Sequence, residues 1–378
     1  MSTATGPDPH PPAPPDRAAR TVAMFAGSRA DLWPLVPVLE ACAAADDLEP
    51  VLLAGGTLTE AELAEVTARD PLGALAVVAV GGRPASGDAV DLVAAAGRGA
   101  AGVAAWLADG AGSATGAARR PAAHLLCVLG DRYETLAAAL AGTVVGVPLV
   151  HLHGGEVTLG STDDGLRHAI TKLAHLHCCA TTTYAARVRS LGEEDWRVHV
   201  TGAPGLDRLR ADASVASLEA VTDELGVPLR RPVALCTYHP PTACPARSLP
   251  DLEALLDALG EVPTVIVTAP GADPGAMEIE RRLRAWCAAR PGAVFVPALG
   301  GRYAAVLGGV DVVVGNSRAQ RRCGVAARRA DPTGAPPPSA NPTSGAATRA
   351  AQRVASRCGG DRRWPGTAAL GPAVASGP

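Results

Sequence analysis

The stretch VPLVHLHGGEVTLGSTDDGLRHAITK runs from Val147 to Lys172, and its reading decides the fold. It opens on a short apolar run. It then passes two glycines, Gly154 and Gly155, and presents His151, His153, Glu156, Asp163, Asp164, Arg167 and His168 in quick succession. An apolar run with no polar alternation is a strand covered on both faces, as in a parallel sheet sandwiched by helices. Working outward, the same unit recurs upstream at TVAMFAG (21–27), PVLLAGG (50–56), ALAVVAV (74–80) and AHLLCVLGD (123–131). Downstream it recurs at PVALCTYHP (232–240), PTVIVTAPG (263–271), AVFVPALG (293–300) and VDVVVGNS (310–317). Helical patterns such as DLWPLVPVLEACAAA and GAMEIERRLRAWCAAR separate them. This strand–helix alternation predicts an α/β protein of two doubly wound, Rossmann-like domains facing a cleft. In such sheets ligands bind beyond the carboxyl ends of the strands.

Composition sets the bounds. The 378 residues are enough for two domains, with 48% hydrophobic and 19% charged residues. Aromatics are 3%, so Ala, Val and Leu must build the core. A net charge of -3 argues against nucleic acid as a partner. Lys172 is the only lysine, an Arg bias expected of a GC-rich gene. Residues 1–20 are Pro-rich without an apolar segment and are expected to be a disordered leader, not a signal peptide. No apolar run reaches membrane-spanning length without Gly, Pro or charge, so no membrane partner is expected. The cysteines lie mostly in apolar runs without zinc spacing, which fits buried free thiols in a reducing cytoplasm.

The polar clusters fall at predicted strand ends. In AGSRAD (26–31), Gly27 permits a tight turn after the first strand, and the following helix start with Ser28 and Arg29 offers N–H groups and charge to an anion. A purely structural Gly-Ser turn would look similar. In LGDRYE (129–134), Asp131, Arg132 and Glu134 crowd the mouth of a buried strand, either facing a cleft or forming a capping box of Asp131 with Glu134. The imidazoles and carboxylates of 151–168 can set one another's pKa values apart, as acid/base chemistry needs. His151 and His153 have His-x-His spacing, but no third ligand follows at zinc spacing, and no metal or cofactor is expected. His239 ends the first strand of the second domain, held by two prolines, and reads as structural or catalytic.

The stretches GSRAD, LGDRYETLAAALA, VPLVHLHGGEVTLGSTDDGLRHAITKLAHLH, VTGAPGLDRL, YHPPT, GADPG and VVVGNS resemble the hydrolysing UDP-N-acetylglucosamine 2-epimerases of sialic acid and related nonulosonate biosynthesis. The resemblance runs from about Thr21 to Ser317. It implies a glycosyltransferase-B-type fold, elimination of UDP to a glycal, and hydration to the C2-inverted free sugar, usually N-acetylmannosamine. Carried over by motif, the catalytic groups are Asp131 and Glu156 with Asp163 and Asp164 beside them, and His239 across the cleft. The resemblance places Gly27, Ser28, Arg29 and Arg132 around the phosphates. His153, Gly154, Arg167, Asn316 and Ser317 complete the expected substrate and UDP contacts. The partner implied is UDP-N-acetylglucosamine or a related UDP-sugar, in a cytoplasmic homo-oligomer if the carboxyl-terminal frame were intact. Gly271 departs from the pattern, standing where a polar residue is expected. The alternatives are a non-catalytic UDP-sugar-binding remnant, a non-hydrolysing epimerase, or a glycosyltransferase, which would lack the HGGE and DDGLRH clusters.

The resemblance stops inside a motif. The family continues GNS through a Ser-Gly turn into a Glu-bearing helix, but residues 318–378 contain no Ile, Phe, Lys or Glu and a single leucine, Leu370. Such a segment cannot build a core. One allowed translation of GC-biased codons for Arg318–Arg329, read one base later, begins Gly-His-Ser-Gly-Val-Val-Glu, the element the family predicts; the alternative is a natural disordered Arg/Pro/Ala tail. The organisation expected is therefore a leader (1–20), a catalytic domain (21–208), a partial nucleotide-binding domain (209–317) and a frame-shifted tail (318–378).

Overall fold

The computed structural model describes residues 19–86, 88–109, 122–158, 161–212, 217–241, 244–271 and 273–316. The expectations for the leader up to residue 18, for Ser317 and for the tail lie outside these residues. The first sheet is built from β1 (Arg20–Ala26), β2 (Leu48–Gly55), β3 (Ala76–Gly81), β4 (Leu125–Leu129), β5 (Leu149–Leu152), β6 (Leu176–Cys179) and β7 (Val198–Val200). Its helices are α1 (Arg29–Ala43), α2 (Glu60–Thr67), α3 (Ala89–Ala108), α4 (Tyr133–Val145), α5 (Asp163–Leu173) and α6 (Thr182–Ser190). Helix α7 (Pro204–Asp212) follows, and the expected domain division between 208 and 209 falls within it. The second unit contains α8 (Leu218–Glu224), β8 (Val233–Thr237), α9 (Ser248–Leu259), β9 (Thr264–Thr268), α10 (Ala276–Ala288), β10 (Ala293–Val296), α11 (Tyr303–Gly309) and β11 (Val312–Gly315).

Among the described residues every strand pairing is parallel. The strand orders are β3-β2-β1-β4-β5-β6-β7 and β10-β9-β8-β11, so each sheet reverses direction once, beside its first strand. Such a switch point opens a crevice at the carboxyl ends. In the first sheet it lies between β1 and β4, and in the second between β8 and β11. The continuous apolar strands have the expected cause. Val22 and Met24 of β1 pack into one core layer with Leu35 and Leu39 of α1, while Ala23 and Phe25 pack into the opposite layer with Val103 and Leu107 of α3. In the second sheet Leu235 and Ile266 face one layer, and Ala234, Cys236 and Val265 the other.

Three differences from the sequence reading have physical reasons. Strand β1 already begins at Arg20, whose guanidinium pairs with Asp47, so the leader ends earlier than residue 20. Strands β6 and β7 escaped the reading because they are four and three residues long and carry His177 and His199. His177 is buried there because Glu193 accepts from its Nε2 at 3.1 Å. Helix α3 has the length and mean hydropathy to cross a membrane, yet it carries Asp91 and Arg98 and lays Leu92, Ala95, Val103 and Leu107 into the protein. Among the described residues β11 is an edge strand, and Val312 is 37% exposed.

Candidate active site

The first layer of the site is set by the turn after β5. His153 has φ 68°, a left-handed conformation that costs a non-glycine residue about 1–3 kcal/mol and is stored mostly at functional sites. Next to it, Gly155 has φ 79°, and a Cβ there would come within 2.2 Å of the Tyr184 carbonyl oxygen, so only glycine fits. The turn brings His153 Nδ1 to 2.7 Å from Glu156 Oε1, with both side chains buried. A carboxylate oxygen accepts, so Nδ1 donates and Nε2 is the imidazole's other exchangeable atom. Gly154 packs inward: a Cβ would meet His151 Nδ1 at 3.2 Å and Thr171 Oγ1 at 3.4 Å.

His151 is a structural neighbour of the site. Its Nε2 lies 2.8 Å from the Gly130 carbonyl oxygen and must donate, so Nδ1 accepts from the Thr171 hydroxyl at 3.2 Å. Burial lowers its pKa to about 3, outweighing the Gly130 bond, which keeps the ring neutral.

The second layer is organised by Arg167 on α5, whose side chain is 0% exposed. Its guanidinium pairs with Asp131 and donates to Asp164 Oδ1 at 2.5 Å, to the Glu156 carbonyl at 2.6 Å and to Thr158 Oγ1 at 2.9 Å. One cation thus ties the end of β4 to the turn after β5 and the start of α5. The resemblance places Arg167 against substrate; here its Nη1 and Nη2 donate to two carboxylates, the Glu156 carbonyl and the Thr158 hydroxyl. The residue preceding α4 is Arg132, whose side chain makes no capping bond, and Asp131 pairs with Arg167.

Around β1 the expected anion donors are occupied from within. Asp31, buried in the first turn of α1, accepts from the Gly27 amide at 3.2 Å and from the Ser28 hydroxyl at 2.9 Å. Burial is the largest influence on Asp31 and raises its pKa to about 6, with Glu134 adding to it and Arg132 opposing. Asp31 was not singled out from the sequence, although it stands within the quoted GSRAD.

The second sheet closes the cleft. His239 follows β8, and Asn316 follows β11, across the switch point. Asn316 Oδ1 accepts from the His239 amide at 2.8 Å, and its Nδ2 donates to the His239 carbonyl at 2.7 Å. Asn316 therefore clamps the histidine backbone. Contacts between the units meet here: Arg29 Nη1 donates to the Pro297 carbonyl at 2.9 Å, and Arg132 Nη1 lies 3.2 Å from Asp273 Oδ1. Arg132 also holds Glu134 Oε1 at 3.1 Å. Burial disfavours the Arg132 charge, but Glu134, Asp273 and Asp31 outweigh it and hold its pKa above the usual value. Asp163, at the start of α5, acts electrostatically on His239, as do Asp273, Arg132 and Arg29. Among the described residues no three His, Cys, Asp or Glu side chains converge in metal-holding geometry.

The structure therefore brings Asp131, Glu156, His153 and Arg167 into one buried network, with the half-buried Asp164 at its edge. It places Asp163, Arg132, Arg29 and His239 where the two units meet.

Comparison with known proteins fits this arrangement. The family described as UDP-N-acetylglucosamine 2-epimerase matches residues 96–319, more than half of the chain. A GDP/UDP-N,N'-diacetylbacillosamine 2-epimerase (hydrolyzing) of Campylobacter jejuni is 33% identical over 165 residues, 43% of this chain and 43% of that protein. A UDP-N,N'-diacetylbacillosamine 2-epimerase (hydrolyzing) of Legionella pneumophila is 38% identical over 116 residues, 31% of this chain and 30% of that protein. The chain thus matches less than half the length of these curated relatives. The crystal structure of a Neisseria meningitidis UDP-GlcNAc 2-epimerase bound to UDP-GlcNAc superposes with a TM-score of 0.62, covering 80% of this chain and 78% of that one at 13% identity. That likeness shows the shared two-domain, glycosyltransferase-B-type fold. With the family match running from within α3 through β11 and across the ends of β4, β5, β8 and β11, the chain belongs to the UDP-N-acetylglucosamine 2-epimerase family.

Proposed function

We propose that the chain is of the hydrolysing branch, converting UDP-N-acetylglucosamine or a close UDP-acetamido sugar to UDP and the free C2-epimer. The observation that carries this reading is the buried His153–Glu156 pair at 2.7 Å beside the Asp131–Arg167–Asp164 network. The hydrolysing relatives named above support it.

The chemistry follows from the substrate. The C2 hydrogen is weakly acidic, so its removal must run with C1–O cleavage well advanced, and the resulting oxocarbenium character is stabilised by nearby carboxylates. One carboxylate takes the C2 proton. The C–H electron pair becomes the C1–C2 double bond, and UDP leaves with the C1–O pair. The C1–C2 π pair then takes a proton at C2 on the opposite face, and water bonds C1 through its oxygen and gives up a proton to a neighbouring carboxylate. The products are UDP and N-acetylmannosamine. Arg29 and Arg132, at the junction of the units, are the cations for the diphosphate, Arg29 exchanging its contact with Pro297 for phosphate oxygens and Arg132 adding its charge while its Nη1 stays on Asp273.

Alignment of the leaving diphosphate matters as much as the carboxylates, because positioning contributes about 7–11 kcal/mol of barrier in such reactions. The family's remaining uridine- and diphosphate-gripping elements follow GNS, and residues 318–378 do not spell them. We expect the chain as written to turn over far more slowly than a version with the downstream frame restored. The test is release of UDP and N-acetylmannosamine by both. Equal turnover would show that the tail is a natural variant. No turnover by either, with UDP-N-acetylglucosamine or its diacetamido analogue, would sink the reading.

A further inference from the structure

His239 is held through its ring as well as its backbone. The Gly271 amide donates to its Nδ1 at 3.0 Å, so the neutral ring carries its proton on Nε2. Protonation puts a hydrogen on Nδ1. An N–H cannot accept from another N–H, so the Gly271 bond is lost and Nδ1 needs an acceptor. Asp273, two residues along the same loop, has its Oδ2 3.9 Å from Nδ1. Its other oxygen, Oδ1, is 3.2 Å from Arg132 Nη1 of the first unit.

The departure at Gly271 has a reason in this geometry. A Cβ there would sit 3.3 Å from Asp273 Oδ2, 3.6 Å from His239 Nδ1 and 3.7 Å from Arg132 Nη1. A side chain there would press on the Asp273 carboxylate and touch the other two groups at ordinary contact distance.

We propose that Asp273 is the positioning residue for His239: its Oδ2 takes up the Nδ1–H of the charged ring while Arg132 fixes its Oδ1. The ring then gains and loses a proton without leaving its place, held by Gly271 when neutral and by Asp273 when charged. This rests on the reading of His239 as a group of the proposed reaction. The charges facing the ring come from four elements: Asp273 on the loop after β9, Arg132 before α4, Asp163 at the start of α5 and Arg29 at the start of α1. Burial is the largest influence and holds the ring's pKa below the ordinary value. Asp273 and Asp163 oppose it, and Arg132 and Arg29 reinforce it.

The test is an NMR titration of the His239 ring in the full chain, assigned by its disappearance in H239Q. Because Asp273 favours the charged ring, D273N should move the His239 midpoint to lower pH, and D273E should hold it near the parent. A D273N midpoint equal to the parent's overturns the proposal. Should D273N fail to fold, D273S carries the same test: with the carboxylate gone the midpoint should fall, and a midpoint equal to the parent's overturns the proposal. The readout needs neither turnover nor bound nucleotide, so an inactive chain leaves it intact.

Discussion

Replacing Arg167 by methionine tests whether one buried cation organises the site. Methionine keeps much of the volume, so the change is mainly electrostatic. The parent side chain is 0% exposed, and it faces Asp131, Asp164 Oδ1, the Glu156 carbonyl and Thr158 Oγ1. Asp131 is itself only 5% exposed. Removing one partner of a buried pair costs about 3–5 kcal/mol, because the other charge stays in a low-dielectric site. Against a typical stability of about 5–15 kcal/mol, that is a large fraction of what holds the first unit folded. The assay is hydrogen exchange on peptides covering β4 and β5, which reads this unit separately from the second. The double variant R167M/D131N should recover part of the loss, since the orphaned charge is gone. Breaking an exposed pair such as Arg247–Asp251, with side chains 72% and 40% exposed, should leave the protection unchanged. A loss under about 1 kcal/mol in R167M, or a double variant no better than the single, would refute the argument.

Two further outcomes are expected. In the frame-restored chain, E156Q and D131N should each lose UDP release from UDP-N-acetylglucosamine, and activity within about threefold of the parent, under about 1 kcal/mol of barrier, would remove that residue from the mechanism. His151 has a folded pKa of about 3 against an ordinary value of 6.5, so the unfolded chain binds its proton first as pH falls. This contribution to stability is complete above pH 6.5 and is lost between about 6.5 and about 3. H151Q should flatten that part of the urea-midpoint profile, and a parent-like slope would show that other groups carry it.

The sequence by itself determined the architecture. Runs such as VAMFA and LLCVL are apolar at every position, and only a sheet covered on both faces satisfies that, so parallel strands and two Rossmann-like units were legible. It also marked the strand ends that carry polar clusters, because charges and glycines crowd the mouths of β4 and β5, and a histidine followed by two prolines ends β8. The His153–Glu156 pair was within reach because three residues across a glycine turn are a local matter. Short strands with histidines were not legible, since β6 and β7 become strands by pairing with β5 and with each other. Nor was the role of Asp131, which could cap a helix or pair with a cation until α5 placed Arg167 opposite. Arg132 and Asp273 are 141 positions apart, and Asn316 and His239 are 77 apart. Electrostatic and hydrogen-bond energies depend on separation in space, and over such distances along the chain only the packing of two sheets against one cleft decides which charges meet.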